Sequence, residues 1–365
     1  MGRDQRAQDS AEETAASAWR IPVGKLTDLC SASFIAAGLP PEDAALASAA
    51  LVEADLRGVP SHGVRLLPDY LARLRAGGLN PQPHLRVVRE GAGTALLDGD
   101  HGLGQVVACR AMDLAIEKAR ACGIGSCAAF NSNHFGLAAF YALRAREQGM
   151  IGLATTNSVP VMPPPGGAAG RVGNTATAYA LPTHDEPALV LDIAMSVAAR
   201  SKIQLYAAEG RPIPGDWALD QSGQPTTDAE AAAAGWLLPG GGHKGFGLAL
   251  LWDALAGALS GARFGTAVQR PLAHEHTEIG HFMLAIDVRA FTPLAGFEQR
   301  IDRVVRDIRA TPLLPGAASV HAPGEASAAP RAEQLASGIA LPVALVEALN
   351  AAAARLNVSA RLAKP

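Results

Sequence analysis

The segment from Ile124 to Thr156 constrains the fold of this chain more than any other. Ile124 to Phe130 has the apolar content of a buried strand, Leu137 to Gln148 has the spacing of a helix, and Ile151 to Thr156 is a second apolar strand. A helix between two short apolar strands is the repeating unit of α/β proteins, because the helix carries the chain back across one face of the sheet. The sequence therefore predicts an α/β fold.

Helical spacing of apolar residues recurs on both sides of this unit. The further helical segments are Val23 to Ala37, Pro41 to Leu56, Leu66 to Leu74, Gln105 to Cys122, Val197 to Glu209, Leu248 to Leu259, Leu294 to Arg309 and Pro342 to Leu356. Further strands are expected within residues 87–98, at Leu189 to Ile193 and at Phe282 to Val288. The Pro/Gly-rich residues 210–240 are expected to form an ordered surface loop.

The distribution of these elements predicts three regions. Residues 1–20 are polar and rich in Ala, Glu and Ser, which is typical of a disordered tail. Residues 21–80 form a helical region, which the C-terminal helices of residues 290–365 are expected to join. Residues 81–289 form the α/β region, where loops at the carboxyl ends of strands are the expected place for a ligand.

The charge of the chain excludes several classes of partner. Its 365 residues carry a formal net charge of -3 and no polybasic run, which argues against binding to nucleic acid or to an anionic membrane. No apolar run is long enough to span a bilayer, and the first residues lack the apolar core of a secretory signal. Cys30, Cys109, Cys122 and Cys127 have no metal-ligand spacing, so we expect reduced thiols and a cytoplasmic location.

His62 is the first candidate for chemistry. It lies in the polar loop from Gly58 to Arg65, between two helical segments, where its ring is not committed to a packed face. Ser61 offers a hydroxyl beside it and Gly63 leaves it unscreened, so the loop suits a proton donor that works near neutral pH. A solvated loop histidine without a function is the alternative.

Three further polar residues fall at the ends of predicted strands. His134 and Ser158 lie in the loops that follow the two strands of the α/β unit. Asp192 lies near the end of an apolar strand, where it would orient a histidine, bind a ribose hydroxyl or only cap the next helix. Each residue alone is consistent with a structural role, but their occurrence with His62 in one framework favours a common site.

The glycine-rich run from Gly240 to Gly247 contains His243 and Lys244 and precedes a helix. Bare backbone amides, an ammonium group and an imidazole at a helix N-terminus suit an anion. The run is not a convincing Rossmann fingerprint, because no clear strand precedes it and no acidic residue follows at the ribose position, and it is not a P-loop. A flexible glycine hinge is the alternative.

Two other kinds of site have little support. His274, His276 and His281 lack the partners of known zinc motifs, so we expect no metal site. No G-x-S-x-G elbow occurs in the chain, which argues against a serine hydrolase.

Taken together, separated blocks of the sequence resemble the malate/L-lactate dehydrogenase family of NAD(P)-dependent oxidoreductases, which is distinct from the Rossmann lactate and malate dehydrogenases. The blocks occur in family order, from about residue 23 to about residue 326. They are Asp55 to Gly58, Ser61 to Gly63, Ser132 to Gly136, Thr156 to Ser158, Gly173 with Asn174, Leu191 to Ser196, Gly242 to Gly245 and Pro323 to Glu325.

The resemblance implies a non-Rossmann α/β fold with a mixed sheet, in which residues 81–289 hold the nicotinamide cofactor and the substrate. It also implies a homodimer whose active site lies near the subunit interface. His62, with Ser61 beside it, and His134 correspond to residues that compete for the role of proton donor, and Ser158 corresponds to a substrate-binding serine. The residues that correspond to cofactor contacts are Asp192, Ile193, Ala194, His243, Lys244, Pro323, Gly324 and Glu325.

The cation for the substrate carboxylate is the point at which this chain departs from the family. Many members have an arginine four residues after the Ser-His-Gly histidine, but here Leu66 occupies that position and Arg65 precedes it. A one-residue offset on an α-helix turns a side chain by about 100°. The candidates for the carboxylate are therefore Arg65, Arg73 and a residue of a partner subunit.

Hydride addition to a 2-oxo carboxylate leaves an alkoxide that must take up a proton, and an imidazolium close by suits that role. We therefore expect an enzyme that interconverts a 2-hydroxy carboxylate and a 2-oxo carboxylate with NAD or NADP. NADPH-dependent reduction of a cyclic imino acid, such as a pyrroline or piperideine carboxylate, is one alternative. A non-catalytic dinucleotide-binding protein is another.

Overall fold

The chain folds around one mixed β-sheet, and the computed structural model describes residues 18–270 and 272–364. The strands are β1 (Ala18–Ile21), β2 (Arg86–Glu90), β3 (Thr94–Asp98), β4 (Ile124–Ser132), β5 (Met150–Thr156), β6 (Thr177–Leu181), β7 (Leu189–Ile193), β8 (Ala218–Leu219), β9 (Trp236–Leu237), β10 (Ile279–Asp287) and β11 (Ile339–Pro342). The helices are α1 (Val23–Ala36), α2 (Pro41–Leu56), α3 (Leu67–Ala76), α4 (Gly104–Cys122), α5 (Ala138–Arg146), α6 (Arg200–Ala208), α7 (Ala229–Ala234), α8 (His243–Asp253), α9 (Leu294–Arg309), α10 (Glu325–Ser337) and α11 (Val343–Ala354).

The central sheet has seven strands in the order β2-β3-β4-β10-β5-β6-β7. β3 and β4 are parallel, and every other neighbouring pair is antiparallel. β10 lies between β4 and β5, so these two strands, which α5 connects, run parallel to each other without pairing. The predicted strand-helix-strand unit is thus confirmed, and so is the mixed sheet that the resemblance implies.

Small residues let the helices approach this sheet closely. A Cβ atom at Gly125 of β4 would lie 2.1 Å from the carbonyl oxygen of Ala115 in α4. A Cβ atom at Gly152 of β5 would lie 2.2 Å from the carbonyl oxygen of Ala142 in α5. Glycine is therefore required on both strands by packing, and the alanine-rich helices α4 and α5 bury one face of the sheet core.

A second core joins the two ends of the chain. Buried residues of α1 and α2, such as Phe34 and Leu51, form one cluster with Val346 and Leu349 of α11. β1 pairs with β11 in the same region. Helix α9 instead contacts the turn between β6 and β7. Its buried Asp302 accepts hydrogen bonds from two main-chain N–H groups of that turn.

Four sequence expectations differ from the structure. The expected disordered tail is wrong at Ala18–Arg20, which belong to β1, while residues 1–17 lie outside the described residues. Residues 210–240 are not a simple loop, since β8, α7 and β9 fold there over a third small core. Helix α8 begins at His243 rather than at Leu248, because Gly242, with φ of 63°, ends the preceding turn there. Strands β1, β6 and β11 and helix α10 were not predicted.

Three simpler features complete the fold. Within the described ranges, none of the helices has both the length and the hydrophobicity needed to cross a bilayer. Cys30, Cys109 and Cys127 are buried free thiols, and Cys122 is an exposed one. After Asp253 the backbone of α8 continues as a short π-helical turn, Ala254–Ala258, against β10.

A buried carboxylate shapes the turn that connects α2 to α3. Oδ2 of Asp55 accepts a hydrogen bond from the main-chain N–H of Val64 at 2.7 Å. The chain there forms two successive 3-10 turns, Pro60–His62 and Val64–Leu66, with Gly63 between them. A Cβ atom at Gly63 would lie 2.2 Å from Oδ1 of Asp55, so the carboxylate occupies the space that a side chain would need.

We expect Gly63→Ala to destabilise the protein by about 1–3 kcal/mol, because the added methyl group must displace a buried, hydrogen-bonded carboxylate. Gly24→Ala is a matched control, since nothing lies within 4 Å of a Cβ atom at that helical position and alanine favours helix by up to about 1 kcal/mol. Urea unfolding followed by circular dichroism measures both variants. Equal stability of the two variants would contradict the packing described for Gly63.

Candidate active site

The loops that follow β4 and β5, the end of β7 and the turn before α3 enclose a cavity of about 720 Å³. Ala326 and Ser327, in the first turn of α10, also line this cavity. Its polar wall consists of Arg57, Ser61, His62, Arg73, His134, Thr156, Asn157, Ser158, Asn174, Asp192, Thr277 and Ser327. The structure thus brings together His62, His134, Ser158 and Asp192, which the sequence analysis singled out from separate blocks.

The rings of His62 and His134 are stacked, with centroids 5.6 Å apart and an angle of 20° between the planes. Nδ1 of His62 lies 2.9 Å from Oγ of Ser61, and Nδ1 of His134 lies 2.7 Å from Oη of Tyr70. Each imidazole therefore has a hydroxyl group at Nδ1. Neither Nε2 atom has a hydrogen-bond partner among the described residues, so both are available to a ligand in the cavity.

Burial keeps both histidines neutral around pH 7. It lowers the pKa of His134 to about 3, with further contributions from His62 and Arg73. Burial also lowers the pKa of His62 below its usual 6.5, and the neighbouring charge of Arg65 adds to this effect. His134 stays uncharged over the whole physiological range, whereas His62 is the closer of the two to its protonation equilibrium.

A third histidine holds the two loops in place. Nε2 of His281 in β10 lies 2.7 Å from Oγ of Ser132 at the end of β4, and Nδ1 lies 2.9 Å from Oγ1 of Thr156 at the end of β5. Its ring stacks on Phe135 with centroids 4.9 Å apart. Burial, followed by the proximity of His134, lowers the pKa of His281 to about 3, so the ring acts as a neutral link between strands.

The structure separates the two arginines that compete for a substrate carboxylate. Nη2 of Arg73 in α3 donates to the main-chain oxygens of Gly78 at 3.1 Å and Glu275 at 2.9 Å, and its buried Nε has no partner among the described residues. Arg73 is one of the residues that line the cavity. Arg65 is exposed and does not line the cavity, since residues 60–66 form 3-10 turns rather than an α-helix.

The end of β7 supplies the other wall. It is the edge strand of the sheet, and its last residues, Leu191, Asp192 and Ile193, are exposed to the cavity together with Ala194. Oδ2 of Asp192 accepts a hydrogen bond from the main-chain N–H of Ala139 at 2.8 Å. Desolvation by the surrounding protein raises the pKa of the Asp192 carboxyl group to about 6.

The segment before α10 closes the cavity against β7. The main-chain oxygen of Pro323 accepts a hydrogen bond from the N–H of Val190 at 3.2 Å. Gly324 has φ of 96°, and a Cβ atom there would lie 2.9 Å from the nitrogen of Val190. Pro323 and Gly324 line the cavity, but Glu325 does not, because its carboxylate binds Arg309 and the N–H of Ala322.

His243 and Lys244 lie outside the cavity wall, exposed in the first turn of α8. The main-chain N–H of Gly240 donates to the oxygen of Met195 at 2.8 Å, in the loop that follows β7. This hydrogen bond places the N-terminus of α8 beside the end of the edge strand. His243 and Lys244 therefore lie near the end of β7 without contacting the histidine pair.

Sequence reasoning did not identify three residues of the site as functional. Tyr70 lies on the buried face of α3, where a tyrosine has the same sequence signature as any core residue. Arg57 lines the cavity and is paired with Glu53 at 2.6 Å, and only its place in the Asp55–Gly58 block hinted at it. Asn174 accepts a hydrogen bond from Oγ of Ser158 at 3.4 Å, and only its place in the Gly173–Asn174 block hinted at it.

The histidines considered as metal ligands do not converge in the structure. His276 stacks on His101 with ring centroids 3.8 Å apart, while His281 lies between its two hydroxyl partners in the sheet. His274 is exposed in the loop before β10.

Comparison with known proteins identifies several relatives over nearly the whole chain. Malate dehydrogenase of Pyrococcus horikoshii is 40% identical over 347 residues, which are 93% of this chain and 96% of the relative. The (2R)-3-sulfolactate dehydrogenase (NADP(+)) of Chromohalobacter salexigens is 34% identical, covering 91% of this chain and 97% of the relative. Ureidoglycolate dehydrogenase (NAD(+)) of Escherichia coli is 34% identical, covering 79% and 83%.

Solved structures agree with these relatives. The structure of the Pyrococcus horikoshii malate dehydrogenase superposes with a TM-score of 0.86 at 38% identity, covering 94% of this chain and 97% of that one. Delta1-piperideine-2-carboxylate reductase of Pseudomonas syringae superposes with a TM-score of 0.82 at 29% identity, covering 91% and 99%. The family model described as malate/L-lactate dehydrogenase matches residues 21–350. The chain therefore belongs to the malate/L-lactate dehydrogenase family.

Proposed function

We propose that this protein is an NAD(P)-dependent oxidoreductase that interconverts a 2-hydroxy carboxylate and a 2-oxo carboxylate. The observation that carries the proposal is the stacked pair of His62 and His134 in one cavity with the guanidinium group of Arg73. A guanidinium group suits a carboxylate, and an imidazole suits the proton of an adjacent hydroxyl group. Relatives named for malate, sulfolactate and ureidoglycolate, which are all 2-hydroxy carboxylates, support it.

The wall formed by β7 fits a nicotinamide dinucleotide. Leu191 and Ile193 expose apolar side chains to the cavity, which suits the face of an aromatic ring, and Asp192 between them offers a carboxylate to a ribose hydroxyl. Pro323 and Gly324 line the cavity beside this strand. One relative is named for NADP and another for NAD, and we propose either nucleotide for this chain. The bound nucleotide would supply or accept the hydride at C2 of the substrate.

The residues of the histidine wall have separate tasks in this proposal. Arg73 binds the substrate carboxylate through the guanidinium edge that bears its unpaired Nε, because Nη2 is already held by two main-chain oxygens. Ser158, hydrogen-bonded to Asn174, contacts the substrate from the loop after β5. Nε2 of His62 accepts the proton of the C2 hydroxyl group during oxidation and returns it during reduction.

His62 suits proton transfer better than His134 for a physical reason. A general base must be neutral and a general acid protonated near the working pH, and His62 is the less strongly shifted of the two. The Ser61 hydroxyl at its Nδ1 is half-exposed, so it can rotate to accept a hydrogen bond when the ring gains its second proton.

We also propose that the protein is a cytoplasmic homodimer. Leu248, Leu250 and Leu251 of α8 are 45%, 50% and 53% exposed, and a second copy of the chain would cover these apolar side chains. The free thiols support a reducing compartment.

A screen with the purified protein tests the proposed function. Pyruvate, oxaloacetate and piperideine-2-carboxylate are each offered with NADH and with NADPH, and the loss of dihydronicotinamide absorbance is followed. We expect turnover of at least one 2-oxo carboxylate. Turnover of the cyclic imino acid alone would instead support an imine reductase, which the structural likeness to the piperideine-2-carboxylate reductase favours as the second candidate. Dinucleotide binding without any turnover would indicate a non-catalytic protein.

Proton transfer by His62 should make the reaction rate depend on pH. Since oxidation needs the neutral ring, the oxidation rate should rise as the pH increases through the His62 pKa, which lies below 6.5, and should then level off. Reduction needs the protonated ring, so its rate should fall over the same pH range. His62→Ala should lower kcat by about 10²-fold or more with little change in dinucleotide affinity.

His84→Ala is the control for this substitution, because His84 is exposed and lies outside the cavity. Unchanged turnover in His62→Ala would assign the proton transfer to His134 instead.

Lys244, at the N-terminus of α8, is a candidate for binding the phosphates of the dinucleotide. If the phosphates of the dinucleotide reach this turn, Lys244→Ala should raise the dinucleotide Kd by about 10-fold, and the effect should shrink as salt is added. Lys25→Ala, on the exposed face of α1, is the control. Fluorescence titration of both variants decides the matter, and equal affinities would remove Lys244 from the cofactor site.

A further inference from the structure

Tyr70 stands directly behind one of the two site histidines. It belongs to α3, its side chain is 5% exposed, and its Oη lies 2.7 Å from Nδ1 of His134. The His134 ring lines the cavity, so its Nδ1 edge faces the protein and its Nε2 edge is the one left for a ligand. Which group donates in this hydrogen bond decides whether that Nε2 carries a proton.

Two observations assign the donor. Burial raises the pKa of the Tyr70 phenol, so the group keeps its proton. Nδ1 of His134 is the only hydrogen-bond partner of the Tyr70 hydroxyl among the described residues, since the fully buried amide of Gln105 nearby, in the first turn of α4, makes no hydrogen bond. A buried O–H needs an acceptor, and Nδ1 is the one within reach, so the phenol O–H donates to Nδ1 of His134. The neutral ring then carries its proton on Nε2.

The surroundings of His134 prevent it from taking a second proton. Three basic groups, His62, Arg73 and His281, lie close enough to interact with the ring electrostatically. A second proton would also make Nδ1 a donor, and the Tyr70 O–H would then turn away from its only acceptor among the described residues and stay unpaired in a buried position. His134 thus differs from His62, whose Nδ1 partner is the half-exposed hydroxyl of Ser61.

We propose that Tyr70 is a positioning residue that holds His134 in its Nε2–H form, and that this N–H donates a hydrogen bond to the C2 oxygen of the substrate while His62 transfers the proton. In oxidation the C2 hydroxyl proton moves to Nε2 of His62, and the proton on His134 stays where it is. A fixed neutral donor stabilises negative charge that develops on the C2 oxygen. The contact with substrate rests on the proposed function, but the protonation state of His134 does not.

The protonation state can be measured without substrate. In protein labelled with ¹⁵N-histidine, long-range nitrogen–proton spectra distinguish a ring protonated on Nε2 from one protonated on Nδ1, and His134→Asn assigns the signals by their loss. We expect wild-type His134 to be protonated on Nε2 alone across neutral pH. Tyr70→Phe should give a mixture of the two forms, because Nδ1 has lost its donor.

Tyr141→Phe is the matched control. Tyr141 is also a buried tyrosine, and its hydroxyl donates to the main-chain oxygen of Phe135, the residue after His134, without touching either site histidine. Its loss loosens the same loop by one hydrogen bond. We therefore expect the His134 signals of Tyr141→Phe to match those of the wild type.

Kinetics test the contact with substrate. Tyr70→Phe should lower kcat by about 10- to 100-fold with an unchanged dinucleotide Kd, whereas Tyr141→Phe should keep kcat within about 2-fold. Protonation of wild-type His134 on Nδ1, or the same state in wild type and Tyr70→Phe, would overturn the positioning role. A changed state with unchanged kcat would overturn the contact with the C2 oxygen. If the substrate screen shows no turnover, the proposed function fails, and the spectra still decide the role of Tyr70.

Discussion

The link that His281 makes between β4 and β5 is the constraint on which the rest of the site depends. β10 separates these two strands, so no main-chain ladder joins their carboxyl ends directly. The imidazole of His281 spans the gap, with a hydroxyl group of Ser132 on one nitrogen and of Thr156 on the other. The loops that carry His134 and Ser158 begin at those two residues. A neutral ring can hydrogen-bond to both hydroxyl groups, whereas a charged ring would lie in the core without a counter-ion. The burial that keeps His281 neutral therefore also preserves the link between the two strands.

Local signals account for the parts of the fold that the sequence could predict. Leu189–Ile193 and Leu294–Arg309 have the predicted bounds, because an apolar five-residue run and a long helical period each determine their own structure. Strand β6 is specified by its neighbours β5 and β7 rather than by its own Ala- and Thr-rich sequence. Helix α10 contains Pro330 and buries none of its residues, so it shows no apolar stripe. Interactions between distant segments determine such elements, and a single sequence does not display them.

The site was predictable to the extent that its residues lie in loops. His62 and His134 stand in polar turns, where a histidine outside any apolar pattern is conspicuous in the sequence, and the structure stacks them. The sequence could not decide between Arg65 and Arg73 for the substrate carboxylate. The comparison of their directions assumed an α-helix, whereas the chain there forms two 3-10 turns that the Asp55 carboxylate holds in place. Tyr70 was equally hidden. A buried tyrosine shows a role beyond packing only when the partner of its hydroxyl group is known.

Two histidines of the same chemistry, stacked in one cavity, can still have different roles because their hydroxyl partners differ. The Ser61 hydroxyl is half-exposed and free to rotate, so it tolerates either protonation state of His62. The Tyr70 hydroxyl lies in the core, where Nδ1 of His134 is its only hydrogen-bond partner among the described residues, so it favours one state of His134. Proton transfer needs a group that changes state in each cycle, whereas stabilisation of a developing charge needs one that does not reorganise. The division of roles therefore follows from the hydroxyl group at Nδ1 of each ring, rather than from the rings themselves.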